Sequence, residues 1–160
     1  MLLGELKHHI DLLQSTEPSF GHATALSRYG QRFLPRREKP EWLQIGPSRA
    51  CFGNATPYAL VRDDVLYAEG YAIEPEPPIP VQHAWLVNAA GEVIDPTWDG
   101  IKDRVYFGIA FKRSFVDETL ARNQNEPGIL VNMHLLRRHF HAPAALEEAI
   151  TLGQANITAR

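Results

Sequence analysis

The stretch Val81-Gln82-His83-Ala84-Trp85-Leu86-Val87-Asn88-Ala89-Ala90-Gly91-Glu92-Val93-Ile94-Asp95-Pro96-Thr97-Trp98 decides the fold. Two runs of β-formers flank Asn88-Ala89-Ala90-Gly91, where Asn at the first position and Gly at the last suit a type I turn closing a short hairpin loop. Asn88 then lies opposite Glu92, Trp85 opposite Asp95, and His83 opposite Thr97. In that register Asp95 is the diagonal neighbour of His83 on one face, roughly 7–8 Å away along the backbone and within side-chain reach. A slip of one residue would turn Asp95 to the other face. The turn chemistry alone therefore predicts a His–Asp contact.

Upstream of the hairpin, Val65–Ile73 is rich in β-formers and ends at the proline-rich segment Glu74–Pro80, which is either a connector or a rigid rim beside His83. Tyr106–Phe111 reads as a fourth strand. Leu2, Leu3, Leu6, Ile10 and Leu13 recur at spacings of three and four, which predicts an amphipathic helix over 2–15. Residues 19–46 read as irregular, with a short helix carrying Leu26, Tyr29 and Phe33. Within them Arg32, Arg36, Arg37 and Lys39 form a basic run, of the kind that ordinarily marks a solvated face and otherwise binds an anion. Ser48 is placed to cap a helix bearing Ala55, Tyr58, Ala59 and Leu60, so that Cys51 falls at its start; Pro57 argues for a position in the first turn. Ser114–Arg122, Leu135–Phe140 and a closing segment from Pro143 to about Leu152, ended by Gly153, read as helical.

The 160 residues suit a single domain, 1–160, able to bury a core without staples. A content of 44% hydrophobic and 22% charged residues is that of a globular chain. The formal charge of −3 and pI near 6.1 give no general pull toward nucleic acid or anionic membrane, and neither is expected as a partner. One cysteine makes no internal disulfide. Glu5 and Lys7 interrupt the apolar start, so no signal peptide or membrane span is expected. A cytoplasmic location follows as the expectation, with secretion by a signal-independent route left open.

The candidate chemistry is a thiol, an imidazole and a carboxylate in order: Cys51, His83 and Asp95. A carboxylate bonded to one imidazole nitrogen sets the tautomer and stabilises the protonated ring, leaving the other nitrogen to draw a proton from the thiol. A helix N-terminus favours the thiolate further. Gln44 and, after it, Asn54 are candidate side-chain donors to an oxyanion beside the Cys51 N–H. Trp85 and Trp98 are candidate walls of a substrate cleft, against the commoner role of aromatic strand residues as core. Taken singly, a lone cysteine is most often core, a strand histidine most often structural, and an aspartate before proline a turn residue. Cys51, His83 and Asp95 do not supply a structural four-ligand metal set, and His139 and His141 beside Arg137 and Arg138 read as a solvated cluster; neither metal nor cofactor is expected.

Cys51, then His83-Ala84-Trp85, then Asp95-Pro96-Thr97 resembles the transglutaminase-like branch of the papain-like cysteine peptidase superfamily over about residues 44–111. The resemblance implies an α+β fold in which a nucleophile-bearing helix packs on a small antiparallel sheet of about four strands, with further helices before and after. It implies Cys51 as nucleophile, His83 as base and acid, and Asp95 as orienter. The expected activity is a thiol-dependent hydrolase acting on an amide or ester through a thioester, with a protein, peptide or small amide as substrate. Acyl transfer to an amine by the same triad, and a binding module that keeps the fold, are the alternatives.

Overall fold

A computed structural model describes residues 1–122, 128–132, 135–136 and 143–151. In chain order the elements are α1 (Leu2–Thr16), α2 (His22–Tyr29), β1 (Gln31–Pro35), α3 (Cys51–Val61), β2 (Val65–Ile73), β3 (Val81–Asn88), β4 (Glu92–Ile94), a 3₁₀ turn (Ile101–Asp103), β5 (Val105–Phe111), α4 (Arg113–Leu120), α5 (Pro143–Ala149) and β6 (Ile150–Thr151). The chain is a mixture of helix and sheet.

The β3–β4 hairpin has the register its turn predicts: Val87 pairs with Val93 and Leu86 with Ile94. Gly91 supplies the positive φ of 77° that the loop needs, its N–H bonds the Asn88 carbonyl at 2.9 Å, and the Asn88 Oδ1 accepts from the Ala90 and Glu92 amides. The ladder stops at Ile94, so Asp95 and Thr97 leave the sheet instead of pairing with Trp85 and His83.

The sheet differs from the four antiparallel strands expected. Six strands run in the order β1-β4-β3-β2-β5-β6, and β1 also pairs with β5, which closes five of them into a barrel. β1 lies parallel to β4 (Leu34 with Glu92) and antiparallel to β5 (Phe33 with Tyr106). β1 escapes the sequence because Phe33 is the one fully buried residue in a short segment that ends on a proline; the expected short helix ends at Tyr29, and Phe33 belongs to the strand. β6 ends the last described helix earlier than Leu152, and residues 137–142 and 152–153, with the His139 and His141 cluster, lie outside the described residues.

Closure gives the strands two buried faces, which is why β2 and β5 are buried along their whole length. Outward from the barrel, Tyr67, Tyr71, Ile73, Leu86, Phe107, Ile109 and Phe111 pack with Leu6 and Ile10 of α1, Leu26 of α2 and Ala55 and Ala59 of α3. Inward, Trp85 and Tyr106 fill the lumen against Ala68, Ala72, Ala110, Phe33 and Val93. The small residues make room for the two aromatic rings. Gly70 and Gly108 face each other across β2 and β5, and a methyl on Gly108 would lie 2.3 Å from the Glu69 carbonyl oxygen and 2.6 Å from the Trp85 ring.

Gly108→Ala should therefore destabilise the fold by about 1–3 kcal/mol in urea unfolding, through overpacking. Gly4→Ala, where an added Cβ meets nothing within 4 Å in the body of α1, should stabilise it by about 0.5–1 kcal/mol. Equal effects of the two substitutions would refute this account of the lumen.

Candidate active site

Asp95 follows the last residue of β4, and its buried carboxylate is satisfied by four donors. His83 Nε2 donates to Oδ2 at 2.7 Å and the Tyr106 hydroxyl to the same oxygen at 2.8 Å. The backbone amides of Thr97 and Trp98 donate to Oδ1 at 2.8 and 3.1 Å. The two amide bonds curl Asp95-Pro96-Thr97-Trp98 into an Asx turn, which is what the Asp-Pro dipeptide forecasts. The His83–Asp95 contact expected from the hairpin register is present.

Because Asp95 accepts from Nε2, that nitrogen carries a proton, and Nδ1 is the nitrogen left for chemistry. His83 is 1% exposed. Burial pulls its pKa down, but bonding to Asp95 and then interaction with the Cys51 side chain outweigh this, and the net shift is upward. The protonated ring is thus favoured in the fold. Tyr106 comes from β5, a strand with no sequence link to the hairpin, and nothing in the sequence marks it as a partner of Asp95. Its hydroxyl is pushed far up by burial and by the adjacent Asp95 charge.

The two tryptophans part company. Trp98 stacks on His83 with ring centres 3.8 Å apart and planes within 6°. Arg104 covers Trp98 at 4.2 Å from its ring centre and is paired with Glu74 at 2.8 Å, so the start of the proline-rich segment is tied to the site. Trp85, expected as a possible cleft wall, is instead fully buried in the lumen, with its Nε1 unpartnered. Period-two alternation puts it on the same face as His83, and barrel closure turns that face inward.

Cys51 is the first residue of α3 and is buried. The helix has no side-chain cap: Ala50, not Ser48, stands at the N-cap, and Pro57 lies inside the helix rather than in its first turn. The carbonyl that loses its donor to Pro57 is that of the exposed Gly53, so no buried acceptor is left unpaired. Two residues before Cys51, Arg49 adopts a φ of 64°, a left-handed conformation that disfavours a residue with a side chain by about 1–2 kcal/mol.

Asn54 is not an oxyanion donor. Its Nδ2 is committed twice, to the Pro47 carbonyl and to Thr97 Oγ1, both at 2.9 Å. It braces α3 to the Asx turn, and the Gly46 amide adds a 2.7 Å bond to the Pro96 carbonyl in the same seam. Gly46 is required there, since a methyl on it would sit 2.2 Å from Asn54 Oδ1. Gln44 is exposed, and its backbone N–H donates to the Tyr58 hydroxyl of α3 at 3.0 Å.

Glu69 is the buried group that sequence reasoning missed. On the helix-facing side of β2 it accepts from the Tyr67 hydroxyl at 2.8 Å, from the Leu130 amide at 2.8 Å, and from the Ile129 amide. Burial pushes its pKa up to about 7 despite the opposing hydrogen bonds, Tyr67 first and then Ile129, Leu130 and Val131. Tyr67, also buried, is shifted well upward by burial first, then by the charges of Glu69 and Cys51. Glu69 thus anchors residues 129–131 beside α3. An added Cβ at the neighbouring Gly128 would come 3.1 Å from the Phe52 ring. A glutamate inside an otherwise apolar strand is the signal that could have found it.

Among the described residues no group of three or more His, Cys, Asp or Glu is placed to hold a metal ion, and no helix is long and apolar enough to cross a membrane. No family model, curated protein or solved structure matches the chain.

Two outcomes follow. Gly46→Ala should destabilise the protein, and much of that loss should vanish in an Asn54→Ala background, a non-additivity readable from urea midpoints of the four proteins; additive effects would deny the seam. Glu69 holds its proton more tightly folded than unfolded, so its contribution is fully present below about pH 4.5 and is withdrawn as pH rises toward about 7. The stability of Glu69→Gln relative to the natural protein should accordingly improve between about pH 5 and about pH 8. A flat difference would contradict the raised value.

Proposed function

We propose that this chain is a thiol-dependent hydrolase of amide or ester bonds that works through a thioester on Cys51, with His83 as base and acid and Asp95 as orienter. The observation that carries the reading is the imidazole bonded through Nε2 to a fully satisfied carboxylate, with the Cys51 side chain near enough to help raise the His83 pKa. Such an arrangement does what nucleophilic catalysis by a thiol requires.

The Cys51 thiol passes its proton to His83 Nδ1, and the thiolate attacks the acyl carbonyl carbon. The tetrahedral oxyanion is met by the backbone N–H of Cys51, one of the amides at a helix N-terminus that lack an intrahelical acceptor. With Asn54 committed, Gln44 is the side chain left for the second donor. The C–N or C–O bond then breaks, the imidazolium gives its proton to the leaving nitrogen or oxygen, and a thioester remains. His83 next takes a proton from water as the water attacks. The collapse returns the proton to sulfur and releases the acid. The wording His83-Ala84-Trp85 and Asp95-Pro96-Thr97 supports placing this chemistry in the transglutaminase-like branch of the cysteine peptidases.

The test is acylation by 4-nitrophenyl acetate, followed by rapid mixing and by mass spectrometry. A burst near one equivalent of nitrophenol should accompany an acetyl group on Cys51, and His83→Ala should slow it by at least about tenfold. Asp95→Asn removes an influence that raises the His83 pKa, so the alkaline limb of the rate, where the ring loses its proton, should move to lower pH. No burst, together with iodoacetamide labelling of Cys51 at the rate of a free thiol and indifferent to His83→Ala, would overturn the proposal. Faster capture of the acyl group by an added amine than by water would move the reading to acyl transfer.

A further inference from the structure

The hairpin brings a second feature to the site. Beside Trp98 opens a cavity of about 140 Å³ whose wall includes Asp95 and Trp98. Arg36, Arg37, Lys39 and Lys102 also line it, with Glu38 and Asp99 as its other charged residues.

The charges do not cancel. Lys39 is paired with Asp99 at 3.7 Å, and the Asp95 carboxylate is taken up by His83, Tyr106 and the amides of Thr97 and Trp98. Among the described residues Arg36, Arg37 and Lys102 make no ion pair, so they outnumber the remaining Glu38. Backbone geometry holds the arginines at the rim: the Arg36 amide donates to the Val93 carbonyl at 3.0 Å, so this end of β1 is fastened to β4. Arg36 and Arg37 also border a second, larger hollow along β1, and thus stand on a ridge of uncompensated positive charge. Like charges crowded around a concave wall are mutually unfavourable without an anion, and guanidinium groups match a carboxylate in shape as well as charge.

Position adds chemistry. In the proposed reaction His83 protonates the leaving atom, so the departing half of the substrate must lie against His83. Trp98 is the ring stacked on His83, and the cavity shares that ring. We infer that this cavity is a carboxylate-binding subsite for the leaving half of the substrate, with Arg36, Arg37 and Lys102 as the recognising cations and Trp98 as its apolar wall. The inference rests on the hydrolase reading for the word "leaving", but the binding of a carboxylate does not. The carboxylate could be that of a small acid or of an acidic side chain in a peptide; the cations would meet both in the same way.

The test separates binding from catalysis. In Cys51→Ala protein, calorimetric titration with 4-hydroxybenzoate should give affinity about tenfold higher than with the neutral 4-hydroxybenzamide, and the preference should weaken as salt rises. Arg36→Glu/Arg37→Glu, at exposed positions where folding is not at stake, should abolish it. A blocked tripeptide with a central glutamate, titrated against its glutamine counterpart, reads whether the carboxylate is taken from a peptide or only from a small acid. In the natural protein, 4-carboxyphenyl acetate should be preferred over 4-carbamoylphenyl acetate in kcat/KM, and the charge reversal should erase that preference. Equal binding of acid and amide, or a preference unmoved by the double substitution, overturns the subsite. Carboxylate preference without any acylation of Cys51 overturns the hydrolase reading and keeps the subsite; acylation without the preference does the reverse.

Discussion

A carboxylate buried without partners would protonate or unfold its surroundings, and Asp95 avoids both by collecting four donors from three parts of the chain. Those donors organise the region. Two amides bend the chain after β4 into an Asx turn, which places Trp98 flat on His83. The imidazole supplies the third donor and is thereby oriented. Tyr106 supplies the fourth across the barrel, so the position of Asp95 depends on β5 being closed against β1 and β2. The Asn54–Thr97 bond then fastens α3, and with it Cys51, to the same turn. Cys51 and His83 are held by one seam of hydrogen bonds, not by two independent supports.

Around that seam the molecule spends polar groups in a consistent way. Glu69 and Asp95 are buried carboxylates on opposite faces of the sheet, and each is met by backbone amides as well as by a tyrosine hydroxyl. The difference lies in the charge partner. Asp95 has an imidazole bonded to it, whereas Glu69 has neutral donors, and burial drives its pKa up to about 7. Two carboxylates with similar donor sets therefore differ in what they do: one steadies a protonated ring, and the other anchors the chain beside α3.

Local rules carried a long way here. Val65–Ile73 has the same limits in sequence and structure, α1 runs one residue past the end expected from its apolar repeat, and the hairpin register was legible from four turn residues. Cys51 at a helix start was also legible, although the cap expected at Ser48 belongs to Ala50 and no side chain closes the helix end. What the residues did not disclose is whatever depends on the barrel. β1 is too short and too exposed to declare itself, Trp85 was ambiguous between cleft and core, and Asn54 looked free because its acceptors, Pro47 and Thr97, lie in other segments. Tyr106 was silent for the same reason, and Glu69 showed only as a charge in an otherwise apolar strand.

By itself, then, the sequence determined that His83 and Asp95 must meet, because turn geometry and period-two alternation act within one hairpin, across a separation of 12 positions. It also determined that the only thiol opens a helix. Tertiary structure decided the rest. Closure of β1 onto β5 turned one face of β3 into a lumen, sending Trp85 inward while leaving Trp98 on the imidazole and the basic end of β1 beside it. Those placements join segments dozens of residues apart, and no local preference encodes the packing that brings them together.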